Sequence, residues 1–541
     1  MGTKSVPMHL QQRGHTGMIS SRLTKLSRRG AGRAGEVSKR HENRTSGRAL
    51  AILLAAGVSG CMVGPNFETP PPPPVDGYLP ANLGLNAKGV PAPRRTDVAG
   101  DWWTVLGSRQ LNGLIELGLA NNADLAAAEA AIRVAEANAL ALRGGFWPTV
   151  KAQWDSSRQQ VPTRTLSSDS STGKSVFSLH TPQVSVGYVP DVWGGLHRQV
   201  ESAWAEAEAA AMEREARSVT LATNIALTVI QQASFEGQIE VTRRLVRTQS
   251  ELLEILRRQQ TAGNIAETDV AVQETALAQT KLLLPPLERQ RDQQVNVLAT
   301  LTGRLPGQTR KETFRLSDFR PSGQVPVSLP ADVVRQRPDI RVAEANLKAA
   351  NAQIGVAIAN RLPQITLSGN GGSTADVVGR LFSPGTWFWM IAGSAVQTVF
   401  DGRTLAYKQV AAEEAFVQQT AQYKSVVLTA FQNVADVLVA LDADTKALTA
   451  AREAETAASR SLALIRQQLD QGQISLPVLL SSQQAFLQTS LARVQAQASR
   501  LANTVALYHA LGGGWWNRFS ESSTVQSPNR NIGQVVSVVT R

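Results

Sequence analysis

Few residues of this chain are placed to perform chemistry, and the clearest is Cys61, the single cysteine among 541 residues. It follows Val58-Ser59-Gly60, at the end of an uncharged apolar run that begins at Ala49. A basic region, a short apolar core and small residues before a cysteine are typical of a lipoprotein signal peptide. The position favours Cys61 as the lipid-bearing first residue of the mature chain over an ordinary buried thiol. Met62 in the next position is typical of lipoproteins sent to the outer membrane.

No catalytic or metal-binding constellation is predicted elsewhere. A single cysteine excludes disulfides and cysteine-based metal sites within one chain. Four of the six histidines lie in the leader or a loop, and His197 and His509 have no repeated partner with which to hold a metal. Only six methionines occur, without the ladder that would bind copper. Gly512-Gly513-Gly514 lacks the lysine and spacing of a phosphate loop, so we predict no enzyme activity, cofactor or metal.

The formal net charge of +12 belongs to the amino terminus rather than to a binding surface. Residues 1–48 hold 11 of the 55 Lys and Arg and 2 of the 43 Asp and Glu, so they carry +9 and the remaining chain only +3. We assign residues 1–60 to a leader and lipoprotein signal peptide and expect no nucleic-acid partner. The 12 residues Ala49–Gly60 are too short to span a bilayer, and no later stretch has 18 consecutive apolar residues, which predicts no transmembrane helix.

Residues 61–105 are predicted to form an extended, proline-rich tether. The run Pro70–Pro74 favours the polyproline conformation, which is extended and makes no internal hydrogen bonds. Such a tether would keep the lipid on Cys61 away from the folded part of the chain.

Two stretches of the chain repeat one another, Asn122–Pro148 and Leu329–Pro363. Asp124 and Asp339 each precede the closing proline of their stretch by 24 residues. In both stretches an alanine-rich helical pattern ends in the proline, and a short alternation of apolar and polar residues follows. The same helix-to-strand change in each half predicts a duplicated unit.

The duplication continues through a polar loop, a second strand and a long helix in each half. The long helices are predicted over Leu196–Ala262 and Arg403–Gln471, and at 1.5 Å per residue each would reach about 100 Å. They end at matching turns, Gly263-Asn264-Ile265 and Gly472-Gln473-Ile474. A further helix ends at another glycine 40 residues later in both halves. The repeats are accordingly 106–303 and 329–515, with an equatorial linker at 304–328 and a tail at 516–541.

Each repeat also supplies two candidate strands in which apolar and polar residues alternate, as in membrane β-barrels. The four strands are predicted at Trp147–Ser156, Pro182–Val192, Pro363–Asn370 and Trp389–Phe400. Tryptophans at the strand ends fit an aromatic girdle at the membrane interface, although they could also cap a soluble sheet. Four strands cannot close a barrel and lipid does not tolerate an open sheet edge, so three chains supplying twelve strands are expected.

Leu329-Pro330 and the run Arg335–Ala345, with the sequence RQRPDIRVAEA, closely resemble the signature of the TolC-like outer membrane factors. The chain is more narrowly similar to the NodT-type lipoprotein branch of the RND efflux channels, through Cys61–Phe67, Asp191–Gly194 and Phe400–Gly402. The resemblance covers about residues 50–515. It implies a mostly α-helical chain of two tandem repeats, each with two β-strands, in a trimer with a 12-stranded barrel and a periplasmic α-helical barrel.

The resemblance also implies a passive exit duct in the cell outer membrane, lipid-anchored and reaching into the periplasm, that exports small molecules or drugs. Its implied partners are two further copies of the chain, outer membrane lipid, a periplasmic adaptor and an inner-membrane RND-type pump. The adaptor would dock at Gly263-Asn264-Ile265 and Gly472-Gln473-Ile474. Asp269, six residues after Gly263, would line the periplasmic aperture, whereas its counterpart in the second repeat is Val478.

Two other functions fit the same residues. One is a related duct for a type I protein secretion system, and the other is a periplasmic lipoprotein scaffold with long helices and no barrel. Pump and adaptor genes beside its own would distinguish the first of these from the efflux duct, and conductance in lipid would distinguish both ducts from the scaffold.

Overall fold

The computed structural model describes residues 62–71, 98–160, 176–308, 312–320 and 335–518. All of them belong to one compact unit, Gly60–Arg541. The predicted leader at 1–60, the lipidation site Cys61, the central part of the tether and residues 519–541 of the tail lie outside the described residues.

Eight α-helices and four β-strands in the described ranges form two repeats of the same order. The first repeat contains α1 (Arg109–Asn121), α2 (Ala123–Arg143), β1 (Thr149–Gln160), β2 (Val176–Tyr188), α3 (Gly195–Thr261), α4 (Glu267–Leu282) and α5 (Leu284–Leu301). The second contains α6 (Pro338–Ala359), β3 (Gln364–Ser373), β4 (Trp387–Val396), α7 (Thr404–Asp470) and α8 (Leu476–Ala510). The predicted tandem helix-strand units are confirmed.

The two repeats keep a constant spacing on either side of the strand-connecting loop. Residues of α2 and β1 lie 215 positions before their counterparts in α6 and β3. From β2 onward the spacing is 209, and α3 and α7 both have 67 residues. The second repeat therefore has a loop six residues shorter, and every later position has a defined counterpart.

The helix that follows the turn after each long helix, which we call the return helix, is continuous in one repeat and divided in the other. In the second repeat α8 runs unbroken for 35 residues, whereas the first repeat divides the same length into α4 and α5. Pro285 and Pro286 lie in the first turn of α5, where they lack the N–H that would continue α4. The expectation of one helix over this segment is wrong, because two adjacent prolines end α4 at Leu282.

The strands form one antiparallel sheet in the order β1-β2-β3-β4. Both hairpins have the same register, since Thr149 pairs with Gly187 and Gln364 pairs with Val396. β1 and β4 are the edges of this sheet, and their side chains are mostly exposed. Among the described residues, the backbone groups along these two edges therefore have no neighbouring strand.

The strand boundaries and tryptophans differ from the sequence expectation in detail. β1 and β2 extend further toward their connecting loop than predicted, and β4 ends at Val396 rather than Phe400. Trp154 lies in the middle of β1 opposite Pro182, not at a strand end. Trp193 donates its indole N–H to the carbonyl of Pro363 at 2.7 Å, which joins the two repeats. Trp389, in contrast, is 78% exposed.

The helix α7 contains an 18-residue window of mean hydropathy 1.5, long and apolar enough by composition to cross a membrane. The count of consecutive apolar residues predicts no such helix, because polar residues interrupt the apolar ones along α7. Tyr423, Val427 and Val434 of α7 are buried in the core between the helices. Leu428, on another face of the helix, is 71% exposed. The hydropathy of α7 thus comes from two apolar faces, of which one is covered within the chain.

The largest core cluster, which we call the body core, joins both repeats. It combines residues of α1, α3, α6, α7 and α8 with Phe314, Leu316 and Phe319 of the linker. Trp102 is fully buried in it and stacks on Tyr508 with ring centroids 5.5 Å apart. The prediction of an extended tether through residue 105 is therefore wrong at its end, because Trp102–Leu106 forms a buried 3₁₀-helix.

A hydrogen bond joins the two ends of each repeat. Its donor is the N-cap residue of the helix that precedes the first strand of the repeat, α2 or α6. Asn122, the N-cap of α2, donates its side-chain amide to the carbonyl of Leu301 at the end of α5. Arg337, the N-cap of α6, donates to the carbonyl of Ala510 at the end of α8, 2.7 Å away, and binds Asp339 with its other nitrogens. The arginine and aspartate of the RPD signature thus close the second repeat.

Residues 62–67 form a strap on the surface between α3 and α6. The Arg198 guanidinium, 1% exposed, donates to the carbonyls of Val63 and Gly64 and to the side chain of Asn66. Asn351 of α6 donates to the carbonyl of Pro65. The start of the predicted tether is therefore bound to the fold, because a buried arginine requires these acceptors.

We predict that Arg198→Ala releases the strap. The variant removes the three hydrogen bonds to the strap and the ion pair with Glu201, so the free energy of unfolding should fall by about 2–4 kcal/mol. Cleavage by a glutamate-specific protease after the exposed Glu68 should accelerate. Arg217→Ala, at an exposed position of the same helix, is the control. Equal stability and equal cleavage in both variants would contradict the role given to Arg198.

Candidate functional site

The two turns predicted to contact a partner have the same backbone structure. At the end of α3, Gly263 donates its N–H to the carbonyl of Gln260 and Asn264 donates to that of Gln259. At the end of α7, Gly472 donates to Leu469 and Gln473 donates to Gln468. This pair of bonds defines the Schellman motif, which satisfies the last carbonyls of a helix.

Glycine is required at both turns by conformation rather than by space. Gly263 has φ +76° and Gly472 has φ +70°, in the left-handed region that other residues occupy at a cost. No heavy atom lies within 4 Å of the place that a Cβ would occupy at either glycine. The turns are therefore tight and open to solvent, as a docking surface must be.

Asp269 and Val478 occupy the same position in the helices that follow the turns. Each is the third residue of its helix, after the N-caps Ala266 and Ser475. Asp269 is half-buried, and among the described residues its carboxylate has no hydrogen-bond or ion-pair partner. The sequence prediction of matching positions holds, since this position is a carboxylate in the first repeat and an exposed valine in the second.

A separate apolar cluster, which we call the tip cluster, holds the two turns together. Its buried residues come from all four helices at this end, namely Leu253, Leu256, Val270, Leu277, Leu462, Leu476 and Leu479. Ile265 and Leu469, next to the two turns, pack against it. The tertiary structure thus combines turns that are 209 residues apart in sequence into one site.

A buried layer of glutamines lies next to the tip cluster, and sequence reasoning missed it. The side-chain amide of Gln273 in α4 donates to the backbone carbonyl of Gln249 in α3. The side-chain amide of Gln249 in turn donates to the side-chain oxygen of Gln483 in α8. The side-chain oxygens of Gln249 and Gln273 have no partner within the described chain. A polar residue inside each apolar stripe, four residues before Leu253 or after Leu479, was the available signal.

A groove of about 790 Å³ opens beside this layer, between α4 and α8. Its polar lining includes Thr268, Gln279 and Gln484, and its apolar lining includes Leu283 and Leu487. The mixed lining suits a surface that meets another protein better than a closed pocket for a small molecule.

The strand-to-helix motifs are helix caps rather than ligand sites. Asp191 accepts the backbone N–H groups of Leu196 and His197 at the start of α3, and Asp401 accepts that of Leu405 at the start of α7. A carboxylate there satisfies free N–H groups and complements the helix dipole. The aspartates of these two motifs therefore orient the long helices below the sheet.

The two helical histidines are also accounted for by local contacts. The Nδ1 atom of His197 lies 2.6 Å from the Asp191 carboxylate. The partial burial of His509, reinforced by the charge of Arg337, lowers the pKa of its ring. Throughout the described ranges, no group of three or more His, Cys, Asp or Glu residues could hold a metal ion.

The family comparison matches both repeats. The model of the outer membrane efflux protein family matches residues 114–304 and 329–513, and the chain belongs to this family. Similar relatives include the pyoverdine export outer membrane protein OpmQ of Pseudomonas putida, 31% identical over 83% of this chain and 94% of the relative. Nodulation protein T of Rhizobium leguminosarum bv. trifolii is 28% identical over 85% of this chain and 95% of the relative.

Solved channels have the same fold. The outer-membrane channel OprN has a TM-score of 0.76 and 25% identity, over 84% of this chain and 100% of that one. The Neisseria gonorrhoeae MtrE outer membrane channel in its open state has a TM-score of 0.71 and 26% identity, over 84% of this chain and 99% of that one. The protein is therefore an outer membrane efflux channel that extends into the periplasm, and its family consists of channels rather than enzymes.

We predict that Gly472→Ala loosens the end of α7. Alanine would have to hold the left-handed conformation at a cost of about 1–2 kcal/mol, so amide exchange in the last turn of α7 should accelerate about 5–30-fold. Gly113→Ala is the control, because Gly113 lies within α1 with equally open space but an ordinary helical backbone. Exchange that stays unchanged in Gly472→Ala would show that the turn does not depend on glycine.

Proposed function

We propose that the chain works as the homotrimeric exit duct of a tripartite efflux system, with a periplasmic adaptor and an inner-membrane RND-type pump as partners. The observation that carries this proposal is the family match over both repeats, together with the open turns at the tip. Relatives are named for pyoverdine export and for toluene efflux, which favours small molecules over proteins as the exported class.

Three copies are proposed because one chain cannot pair the backbone groups at both edges of its own sheet. β1 and β4 are free edges in a four-stranded sheet, and unpaired backbone groups in lipid cost several kcal/mol each. Closure with two further copies would give twelve strands. The exposed apolar face of α7 supports the same assembly, since it is available to pack against another copy.

The adaptor is proposed to contact the tip at the two turns and the groove beside them. Gly263-Asn264-Ile265 and Gly472-Gln473-Ile474 present exposed polar residues next to partly buried isoleucines. The groove between α4 and α8 adds threonine, glutamine and leucine side chains. This combination of an apolar floor and a polar rim is what a protein contact of moderate strength requires.

The lipid is proposed to be attached at Cys61, the residue before the strap. Met62, the next residue, packs on Gly194 at the corner between β2 and α3, where a Cβ would come within 2.8 Å of the Met62 side chain. Because the strap holds this end of the chain, the acyl chains would enter the inner leaflet next to the barrel.

Asp269 is proposed to help hold the periplasmic aperture closed. Its carboxylate is free of partners within the described chain, so it is available to accept hydrogen bonds from a donor on the neighbouring copy when the tips come together. Asp269→Ala should raise the conductance of the resting channel in a planar bilayer. A loss of about 1 kcal/mol of closed-state stability corresponds to about fivefold more open channel.

Glu267→Ala is the matched control for Asp269→Ala, because Glu267 is an exposed acidic residue in the same first turn. Equal conductance in the two variants and in the unmodified protein would remove Asp269 from the aperture.

Three measurements test the function as a whole: the mass of the protein in detergent, its conductance in a planar bilayer, and whether it restores export when supplied to cells that lack the gene. Trimers, pores and restored export of a small toxic compound are expected. A monomer without conductance would contradict the duct and support the lipoprotein scaffold. A conducting trimer that restores secretion of a protein but no small-molecule export would support the protein-secretion duct.

A further inference from the structure

We infer the strand register by which neighbouring copies of this chain join, from contacts that the chain makes with itself. The inference rests on the proposed trimer and adds to it which residues meet across the interface. Within the chain, the second strand of the first repeat pairs with the first strand of the second repeat. In a ring of such repeats, the second strand of the second repeat, β4, pairs with β1 of the next copy.

The equivalence between the repeats is strict enough to transfer this pairing. β1 and β3 are related by 215 positions and β2 and β4 by 209, because Thr149–Gly187 and Gln364–Val396 are the same pair in the two hairpins. The ten residues of β3 and β4 continue in this register without a bulge.

The known β2–β3 pairs therefore define the β4–β1 pairs between copies. Val186 lies opposite Gly369 in the chain, and their counterparts are Ala395 and Trp154. Ala395 of one copy thus lies opposite Trp154 of the next. The same rule places Ser394 opposite Asp155 and Val396 opposite Gln153.

The helix α7 independently supports the same interface. Val219 and Ile230 of α3 are buried within the chain, and their counterparts in α7 are Leu428 and Val439, which are both exposed. The first repeat has a neighbouring repeat beside α3, while among the described residues the second repeat has none on this face of α7. A second copy would cover Leu428 and Val439 as the chain itself covers Val219 and Ile230.

The same equivalence applied to the contact between α3 and α6 predicts a contact between α7 of one copy and α2 of the next. Gly355 of α6 lies against Arg198 of α3, where a Cβ would come within 2.7 Å of the arginine side chain. The counterparts are Leu140 of α2 and Tyr407 of α7, which are 53% and 61% exposed in the single chain. An apolar pair thus replaces the glycine-arginine contact, and Leu140 of the next copy would pack on Tyr407. The strap fills this seam within the chain, whereas two large side chains are available to fill it between copies.

The register is tested by cysteine cross-linking in the full-length, membrane-extracted protein. The double variant Ala395→Cys with Trp154→Cys should form covalent trimers on mild oxidation, because directly opposed strand residues have Cβ atoms about 4.5–5.5 Å apart. Ser394→Cys with Asp155→Cys tests the neighbouring pair, in case the loss of Trp154 weakens folding. The unmodified protein, which retains Cys61, gives the background.

Two shifted variants are the matched controls. Ala395→Cys with Ala152→Cys and Ala395→Cys with Ser156→Cys keep the same face but move one cysteine by two residues, which separates the Cβ atoms to about 7 Å and should reduce covalent trimer at least about fivefold. The native mass of each variant in detergent is also measured without oxidation, so that assembly is measured separately from cross-linking.

The outcomes separate the register from the proposed function. Cross-linking that favours the Ala395–Trp154 or Ser394–Asp155 pair supports the register. Native trimers that cross-link better in a shifted variant, or in none, overturn the register and leave the trimeric duct standing. Native monomers without cross-links overturn the trimeric duct itself.

Discussion

The closing hydrogen bond of each repeat is the contact on which the rest of the architecture depends. Asn122 and Arg337 each cap a helix and reach the last carbonyl of their own return helix, Leu301 or Ala510. A buried carbonyl left unpaired would cost about 1–3 kcal/mol, and Arg337 adds a charged donor. With both helix ends fixed at one level, α2 and α6 lead from it to β1 and β3, while α5 and α8 return to it from the direction of the tip cluster.

The distance between that level and the tip explains why the chain has two apolar clusters. Helices of 67 residues extend far beyond the body core, so the turns at Gly263 and Gly472 need packing of their own. The tip cluster supplies it, and the layer of Gln249, Gln273 and Gln483 lies beside it. Because the tip has its own cluster, contacts with a partner can change there without exposing the body core.

A single chain pairs the backbone groups of its helices but leaves those at the two edges of its sheet without a neighbouring strand among the described residues. Arg198, Trp193 and the strap complete the seam between the repeats. In the part of the chain that the structure describes, the outer edges of β1 and β4 and one face of α7 have no neighbour. Backbone groups in lipid cannot bind water instead, and apolar side chains on a periplasmic helix favour burial. The same seam repeated between copies meets both requirements.

The sequence by itself determined the duplication, the two long helices, the glycine turns and the matching places of Asp269 and Val478, because proline, glycine and helical periodicity act locally along the chain. It placed Cys61 in a signal that lies outside the described residues. It did not reveal the strap on Arg198, the buried Trp102, the partners of Asn122 and Arg337 or the glutamine layer. Those contacts join residues hundreds of positions apart, as Trp102 and Tyr508 do, and only the packing of the helices decides which side chains meet.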